Sequence, residues 1–133
     1  MGSLFLSGMA ISCSTSQTDV KTLDGKWTIS SVRGAAVKQE GKAFMTFDMA
    51  ENKLHGNGGC NIFNTSLTLN DKDISAIRIN PAAATMMSCP NADQETTIFQ
   101  AMDAVRSVKA GEQANEMLLL DEAGTTVLGL KKN

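Results

Sequence analysis

The chain has 133 residues, enough for one domain, and its 42 % hydrophobic and 20 % charged residues are typical of a globular protein and exclude a disordered one. Twelve basic against fourteen acidic residues leave a net charge of −2, and lysine and arginine form no run. Nucleic-acid binding, which depends on clustered positive charge and on rings that stack on bases, is therefore not expected from a chain with one tryptophan and no tyrosine.

A short apolar run, Leu4 to Ile11, lies near the start of the chain. It is shorter than the roughly twenty apolar residues that span a bilayer, and it has the length of the hydrophobic region of a signal peptide. Ala10-Ile11-Ser12-Cys13 resembles a bacterial lipobox, which implies cleavage before Cys13 and acylation of its sulfur. We therefore expect residues 1–12 to be a signal-peptide remnant and Cys13 to be the lipid attachment site. An N-terminal strand is the alternative, since no basic residue precedes the run.

Small and polar residues follow Cys13, from Ser14 to Thr22. This composition is typical of a flexible tether. We assign residues 13–22 to a lipid-attachment tether and residues 23–131 to the folded domain.

Alternating hydrophobicity predicts five strands in the first half of the domain. Their expected ranges are 26–32, 44–49, 53–57, 66–70 and 74–80. Turn residues separate these strands, and Pro81 ends the last of them. The glycines of Asn57-Gly58-Gly59 predict a bulge or a close approach of two backbones.

One segment has a helical period. Asn91 as N-cap and Gln94 three residues later resemble a capped helix start, and Ile98, Met102 and Val105 recur at helical spacing, which predicts a helix over residues 92–106. Strands are expected at 107–110, 117–121 and 125–130, the last two joined as a hairpin. The predicted fold class is α+β and mostly antiparallel β, a curled sheet or open barrel-like arrangement with one helix.

Cys60 and Cys89 remain once Cys13 is assigned to the lipid. In an oxidising periplasm two such cysteines are a natural pair. A disulfide closing a loop of about thirty residues would stabilise the fold by roughly 3.5 kcal/mol in the chain-entropy model. Two buried free thiols are the alternative.

Catalytic and metal chemistry have little support in these residues. His55 is the only histidine, and together with Cys60 and Cys89 it offers three candidate ligands without the paired short spacings of structural zinc. A cysteine or serine nucleophile would need the same imidazole as its base. We therefore expect no enzymatic activity, no cofactor and no metal.

Four groups of residues follow one another through the domain: Gly56-Asn57-Gly58-Gly59-Cys60-Asn61; Thr85-Met86-Met87-Ser88-Cys89-Pro90; Glu95 with Phe99 and Met102; and Leu118-Leu119-Leu120-Asp121 with Gly124 and Val127-Leu128. In this order they resemble the META domain, also called the HslJ-like family, over residues 23–130. Ser66-Leu67 stands where the family often has glycine and an aromatic residue, and Ser88 where alanine is common.

The resemblance implies a small β-rich fold with one helix, found in bacterial envelope proteins that are often lipoproteins. It links the chain to heat-shock response, novobiocin resistance and, in relatives, motility or secretion, and it brings no catalytic residues. It implies structural roles for Gly59, Cys60, Asn61, Thr85, Cys89 and Pro90. The glycines would permit a bulge, Cys60 would pin it, Asn61 would satisfy backbone groups, and Thr85 would hydrogen-bond near the second cysteine.

The expected function is a non-enzymatic binding or interaction module related to stress, on a periplasm-facing outer-membrane lipoprotein. Its partner would be an envelope protein or a lipid, and the protein would be a monomer. The alternative is a carrier for a lipid or acyl chain, because secretin pilotins, which can hold an acyl chain, have a similar cracked barrel. Six methionines could supply adaptable apolar walls or simply fill the core: Met45, Met49, Met86, Met87, Met102 and Met117.

Overall fold

The computed structural model describes residues 17–38, 42–89 and 92–132. Within these ranges eight antiparallel strands form a closed barrel and follow the order of the chain, and two short strands, Ala35–Ala36 and Ala83–Ala84, pair outside the ring. The strands are β1 (Gly25–Val32), β2 (Ala35–Ala36), β3 (Ala43–Asp48), β4 (Lys53–Gly58), β5 (Ile62–Asn70), β6 (Asp73–Ile79), β7 (Ala83–Ala84), β8 (Ser107–Ala110), β9 (Glu116–Leu120) and β10 (Thr126–Lys131). With one α-helix, α1 (Ala92–Ala104), in the described part, the predicted mostly antiparallel β fold is confirmed.

The last strand closes the barrel on the first. β10 pairs antiparallel with β1, so that Leu130 lies opposite Ile29 and Leu128 opposite Val32. The register shifts at Ser30, which is an extra residue in β1, and Ile29 and Val32 are therefore both buried although they are three residues apart. Closure pairs the two edges that an open sheet would expose to other chains.

Alternate residues of the strands point into the barrel and form the core. An eight-stranded barrel has an interior that side chains can fill, and each large apolar side chain buried there contributes about 1.5–3 kcal/mol. Trp27 is 4 % exposed, and its indole N–H donates a 2.7 Å hydrogen bond to the carbonyl oxygen of Leu23. The largest fully buried side chains are Phe47, Phe63, Leu23, Ile29, Met45, Leu54, Ile77, Ile98, Met102, Leu119, Leu128 and Leu130.

Two helical segments cover opposite ends of the barrel. Helix α1 packs Ile98, Ala101 and Met102 into the core at the end where β4 finishes. A 3-10 helix, Val20–Leu23, covers the other end, beside the start of β6. There the Gln17 side-chain amide donates a 2.7 Å hydrogen bond to the Asp73 carboxylate.

The 3-10 helix overlaps the segment 13–22 that the sequence analysis assigns to the tether. Val20 is 4 % exposed and Leu23 is fully buried, and the Asp19 carboxylate accepts a 2.9 Å hydrogen bond from the backbone N–H of Lys21. The packed part of the chain thus begins inside the segment that its polar composition assigned to the tether, because one apolar side chain on a single turn is enough to anchor it. Cys13 and the apolar run before it lie outside the described residues.

Other strand predictions differ from the structure by a few residues. β5 begins at Ile62, four residues before the predicted start, because Phe63 pairs with Gly56 of β4 on one side and Ala84 of β7 on the other. Helix α1 ends at Ala104, two residues early, since the Arg106 backbone N–H already donates to Leu120 of β9. The two-residue strands β2 and β7 are too short to give a periodic signal.

Candidate functional site

A buried carboxylate organises the Gly-Cys-Asn segment between β4 and β5. Glu95, in the first turn of α1, is 7 % exposed. Its Oε2 accepts hydrogen bonds from the backbone N–H groups of Cys60 (3.0 Å) and Asn61 (2.6 Å), and its Oε1 accepts one from Asn61 Nδ2 (2.7 Å). Three donors surround the carboxylate, so its burial leaves no lone charge without partners.

Asn61 connects this carboxylate to the segment before the helix. Its Oδ1 accepts hydrogen bonds from the Thr85 hydroxyl (2.8 Å) and the Met87 backbone N–H (2.6 Å), and its Nδ2 also lies 3.3 Å from the Met87 carbonyl oxygen. The Thr85 hydroxyl in turn accepts a bond from the Ile62 backbone N–H (3.1 Å). No buried side-chain nitrogen or oxygen of the described residues lacks a hydrogen-bond partner.

A disulfide joins Cys60 to Cys89, whose Cα atoms are 6.2 Å apart. The two cysteines are 29 residues apart in the sequence. The bond attaches the end of the Thr85–Cys89 segment to Cys60, the residue before Asn61. The disulfide and the Asn61 hydrogen bonds therefore hold the same segment at two adjacent points.

Glycine is required where the helix meets β4. A Cβ atom added to Gly58 would lie 2.8 Å from Cγ of Glu95 and 3.0 Å from Cε1 of Phe99. The predicted close backbone approach at the Asn57-Gly58-Gly59 segment is thus an approach of α1 side chains to the strand. Phe99 also packs edge-on against Phe63, with ring centroids 5.7 Å apart, and this contact fixes the helix over the barrel end.

The described members of the predicted motif therefore meet in one place. Cys60, Asn61, Thr85 and Cys89 are bonded to one another or to Glu95, and Gly59 adopts a positive φ of 117° beside them. Pro90 lies outside the described residues. The side chains of Glu95, Asn61 and Thr85 each hydrogen-bond to backbone groups of this region, so together they form a clamp that fixes a loop.

The loop that this clamp holds is strongly exposed and apolar. We call residues 81–89 the methionine loop, since Met86 is 94 % and Met87 is 59 % exposed. Ile62, beside the loop at the start of β5, is 54 % exposed. Large exposed apolar side chains in a cluster are typical of contact surfaces.

A shallow groove of about 190 Å³ lies between the start of the methionine loop and α1. Its apolar walls come from Phe99 and Met102 of the helix and from the chain around β7, and its rim carries Asp103. The remaining lining residues are Asn80, Pro81, Ala82 and Ala84.

The other candidate ligand, His55, lies apart from the clamp. It is exposed in the middle of β4, opposite Thr46 of β3 and Asn64 of β5. Within the described ranges no group of three or more histidine, cysteine, aspartate or glutamate side chains is arranged to hold a metal ion. In the same residues no helix has the length and apolar character needed to cross a membrane.

From the sequence Glu95 is recognised only as a member of the motif, and the burial of its carboxylate is missed. A signal was available: Glu95 stands three and seven residues before Ile98 and Met102, on the apolar face of α1. A charged residue on a buried stripe needs partners, and the backbone N–H groups of a glycine-rich segment can supply them.

Comparisons with known proteins place this fold in a family. The model of the META domain matches residues 19–133. No curated protein matches the chain significantly. Three solved structures of proteins under 20 % identical share the fold.

The first, described as an NMR structure of a protein, has a TM-score of 0.62 at 19 % identity and covers 86 % of this chain and 95 % of its own. An NMR structure of a protein from Burkholderia xenovorans has a TM-score of 0.62 at 17 % identity, with 99 % and 95 % covered. A crystal structure of a DUF4847 family protein from Bacteroides vulgatus has a TM-score of 0.56 at 16 % identity, with 84 % and 94 % covered. The match over the whole described domain shows that the chain belongs to the META domain family.

Proposed function

We propose that this protein is a non-catalytic interaction module of the bacterial envelope, and that its methionine loop binds an apolar segment of another envelope protein. The observation that carries the proposal is the 94 % exposure of Met86 and the 59 % exposure of Met87 on a loop held by a buried clamp. Methionine side chains are flexible and polarizable, so they adapt to apolar partners of differing shape.

The clamp supports this role because it fixes the loop before any partner arrives. Thr85 and Met87 are hydrogen-bonded to Ile62 and Asn61 on either side of Met86, and Cys89 is covalently attached to Cys60. A loop already ordered loses less conformational entropy on binding.

The envelope location rests on two features. Ala10-Ile11-Ser12-Cys13 resembles a lipobox, and a Cys60–Cys89 disulfide suits an oxidising compartment such as the periplasm. We propose that the mature protein is a periplasm-facing outer-membrane lipoprotein attached through Cys13.

This attachment would leave the methionine loop facing away from the membrane. Gln17 is the fourth residue after Cys13, and four residue steps span at most about 14 Å. Gln17 is bonded to Asp73 at one end of the barrel, while the loop lies at the other end, where Thr85 bonds Ile62 at the start of β5. β5, which runs from one end to the other, is about 25 Å long. A protein partner in the periplasm can reach a loop in that position.

Site-specific photo-cross-linking in the host envelope tests the proposal. A photoreactive residue at position 86 should give a discrete protein adduct, and the same residue at Ile74, which is 46 % exposed elsewhere on the barrel, should not. No protein adduct at position 86, or equal adducts at both positions, would overturn it.

A second experiment tests the lipid attachment. Cys13→Ser should release the protein from membranes. Unchanged membrane association would contradict the lipoprotein assignment, and the cross-linking would still test the role of the loop.

A second candidate is a carrier for a lipid or acyl chain. The apolar groove between α1 and β7, with Phe99 and Met102 in its walls, favours this candidate because it could accept part of an acyl chain. The barrel interior itself is occupied by large side chains. Native mass spectrometry of protein extracted from its host separates the two: a lipid-sized adduct that leaves on denaturation supports a carrier, and the protein mass alone supports the interaction module.

A further inference from the structure

Among the methionines that the structure describes, two are far more exposed than the others. Six of the eight methionines lie in the described ranges, and four of these are at most 9 % exposed: Met45, Met49, Met102 and Met117. Met86 and Met87 are 94 % and 59 % exposed. Cys60 and Cys89 are joined as a disulfide, so their sulfurs do not compete as thiols for an oxidant.

The clamp keeps Met86 exposed in the folded state. The Thr85 backbone N–H donates a 3.0 Å hydrogen bond to the Ile62 carbonyl oxygen, and the Met87 backbone N–H donates a 2.6 Å bond to Asn61 Oδ1. Met86 thus lies between two fixed residues with its side chain in solvent. An oxidant can reach its sulfur without any opening of the protein.

Oxidation at these positions would spare the clamp. The hydrogen bonds between Met87 and Asn61 use the Met87 backbone N–H and carbonyl oxygen and leave its thioether free. A sulfoxide on either side chain therefore changes the loop's surface from apolar to polar without removing a partner of the buried Asn61 or Glu95. The same change at a buried methionine would disrupt the core.

We propose that Met86 is a reversible oxidation site, with Met87 as a slower second site, through which a peroxide changes the methionine loop from apolar to polar. The thioether sulfur gives an electron pair to one oxygen of hydrogen peroxide, an S=O bond forms as the O–O bond breaks, and the other oxygen leaves as water with both hydrogens. The return step consumes two thiols, which become a disulfide while the sulfoxide oxygen leaves as water. The oxidation site is inferred from the exposure of Met86 and from the hydrogen bonds that hold Thr85 and Met87. Its effect on binding rests on the proposed function.

Peptide mass mapping of the full chain during exposure to hydrogen peroxide tests the site. If reactivity follows exposure, Met86 should oxidise about tenfold faster than Met49, the ratio of 94 % to 9 %, with Met87 in between. The difference should disappear in denaturant, and a methionine sulfoxide reductase with a dithiol should restore the original mass. A folded protein in which Met86 oxidises no faster than Met49 or Met117 would overturn the proposal.

The effect on binding is read from the cross-linking experiment, with the photoreactive residue moved to Ile62 so that Met86 is retained. Peroxide should weaken the adduct of the parent protein several-fold and leave that of Met86→Leu/Met87→Leu unchanged. An equal loss in both proteins would contradict the switch. If no adduct forms before oxidation, the proposed partner fails while selective oxidation of Met86 stands or falls on the mass map alone.

Discussion

The side-chain amide of Asn61 donates a 2.7 Å hydrogen bond to the carboxylate of Glu95, which lies 34 residues further along the chain, and both side chains are less than a tenth exposed. This bond joins the turn between β4 and β5 to the first turn of α1. Through Asn61 Oδ1 the same side chain holds the methionine loop. The position of the exposed loop is thus set by a bond inside the protein.

Replacing the carboxylate tests how much this bond contributes. Glu95→Gln turns one acceptor oxygen into a donor, so either the backbone N–H groups on Oε2 or the Asn61 amide on Oε1 must face an NH₂ group. Since hydrogen bonds to charged groups are worth about 1.5–3 kcal/mol each, we expect the free energy of unfolding to fall by about that amount.

Urea unfolding followed by the fluorescence of Trp27, the only tryptophan, measures this loss. Trp27 lies toward the 3-10 helix at the other end of the barrel, and it therefore reports unfolding of the whole domain. Glu122→Gln, at an exposed position in the β9–β10 turn, is the control and should change stability by less than about 0.5 kcal/mol. Equal unfolding midpoints for the two variants would show that the buried carboxylate is dispensable.

Exchanging donor and acceptor tests the pairing itself. Asn61→Asp alone places a second carboxylate against Glu95 and removes the donor, and we expect it to cost about 3 kcal/mol or more. When it is combined with Glu95→Gln, the carboxylate introduced at position 61 can accept a hydrogen bond from the amide introduced at position 95. The double variant should therefore be more stable than Asn61→Asp. A double-mutant cycle in urea gives the coupling energy. Additive losses would mean that the two side chains do not act as a pair.

Much of the barrel follows from local patterns. The alternation of Trp27 with Ile29 and of Ile77 with Ile79 predicts strands whose inward faces the structure confirms. The exact range of β8 could be predicted because Ser107–Ala110 lies between a helix and a hairpin with clear signals. The closure of β10 on β1 depends on pairing between residues about one hundred positions apart, which no local period encodes.

The motif members of the candidate site could be predicted, whereas the burial of Glu95 and the exposure of Met86 could not. The Gly-Cys-Asn and Thr85–Cys89 segments could be recognised as motifs, and their structural role was an expectation of the family resemblance. The exposure of Met86 could not be predicted, because a methionine between polar and apolar neighbours fits a core as well as a surface. The hydrogen bonds of the residues on either side of Met86 fix the backbone that carries its exposed side chain, and they join positions far apart in the sequence.

A methyl group at Gly58 should disturb the helix contact. Gly58→Ala places Cβ 2.8 Å from Glu95 Cγ and 3.0 Å from Phe99 Cε1, and overpacking of this kind costs about 1–3 kcal/mol. The same substitution in a Glu95→Ala background loses the first of these collisions, so its cost measured by urea unfolding should fall. An unchanged cost in that background would place the steric conflict elsewhere.

Removing the disulfide should lower the free energy of unfolding and leave the hydrogen bonds of the clamp intact. Cys60→Ser/Cys89→Ser releases a 29-residue connection, for which the chain-entropy model gives a loss of about 3.5 kcal/mol. Asn61 keeps its hydrogen bonds to Met87 and Glu95 in that variant, so the folded state should retain the methionine loop in place.

Thiol labelling of the unacylated full chain in denaturant checks the bond directly. Before reduction only Cys13 should react, which makes it the internal control, and after reduction Cys60 and Cys89 should react as well. Labelling of Cys60 or Cys89 before reduction would contradict the disulfide. If the double variant unfolds at the same urea concentration as the parent protein, the Asn61–Glu95 clamp rather than the disulfide is what holds the loop, and the effect of Glu95→Gln should then be the larger of the two.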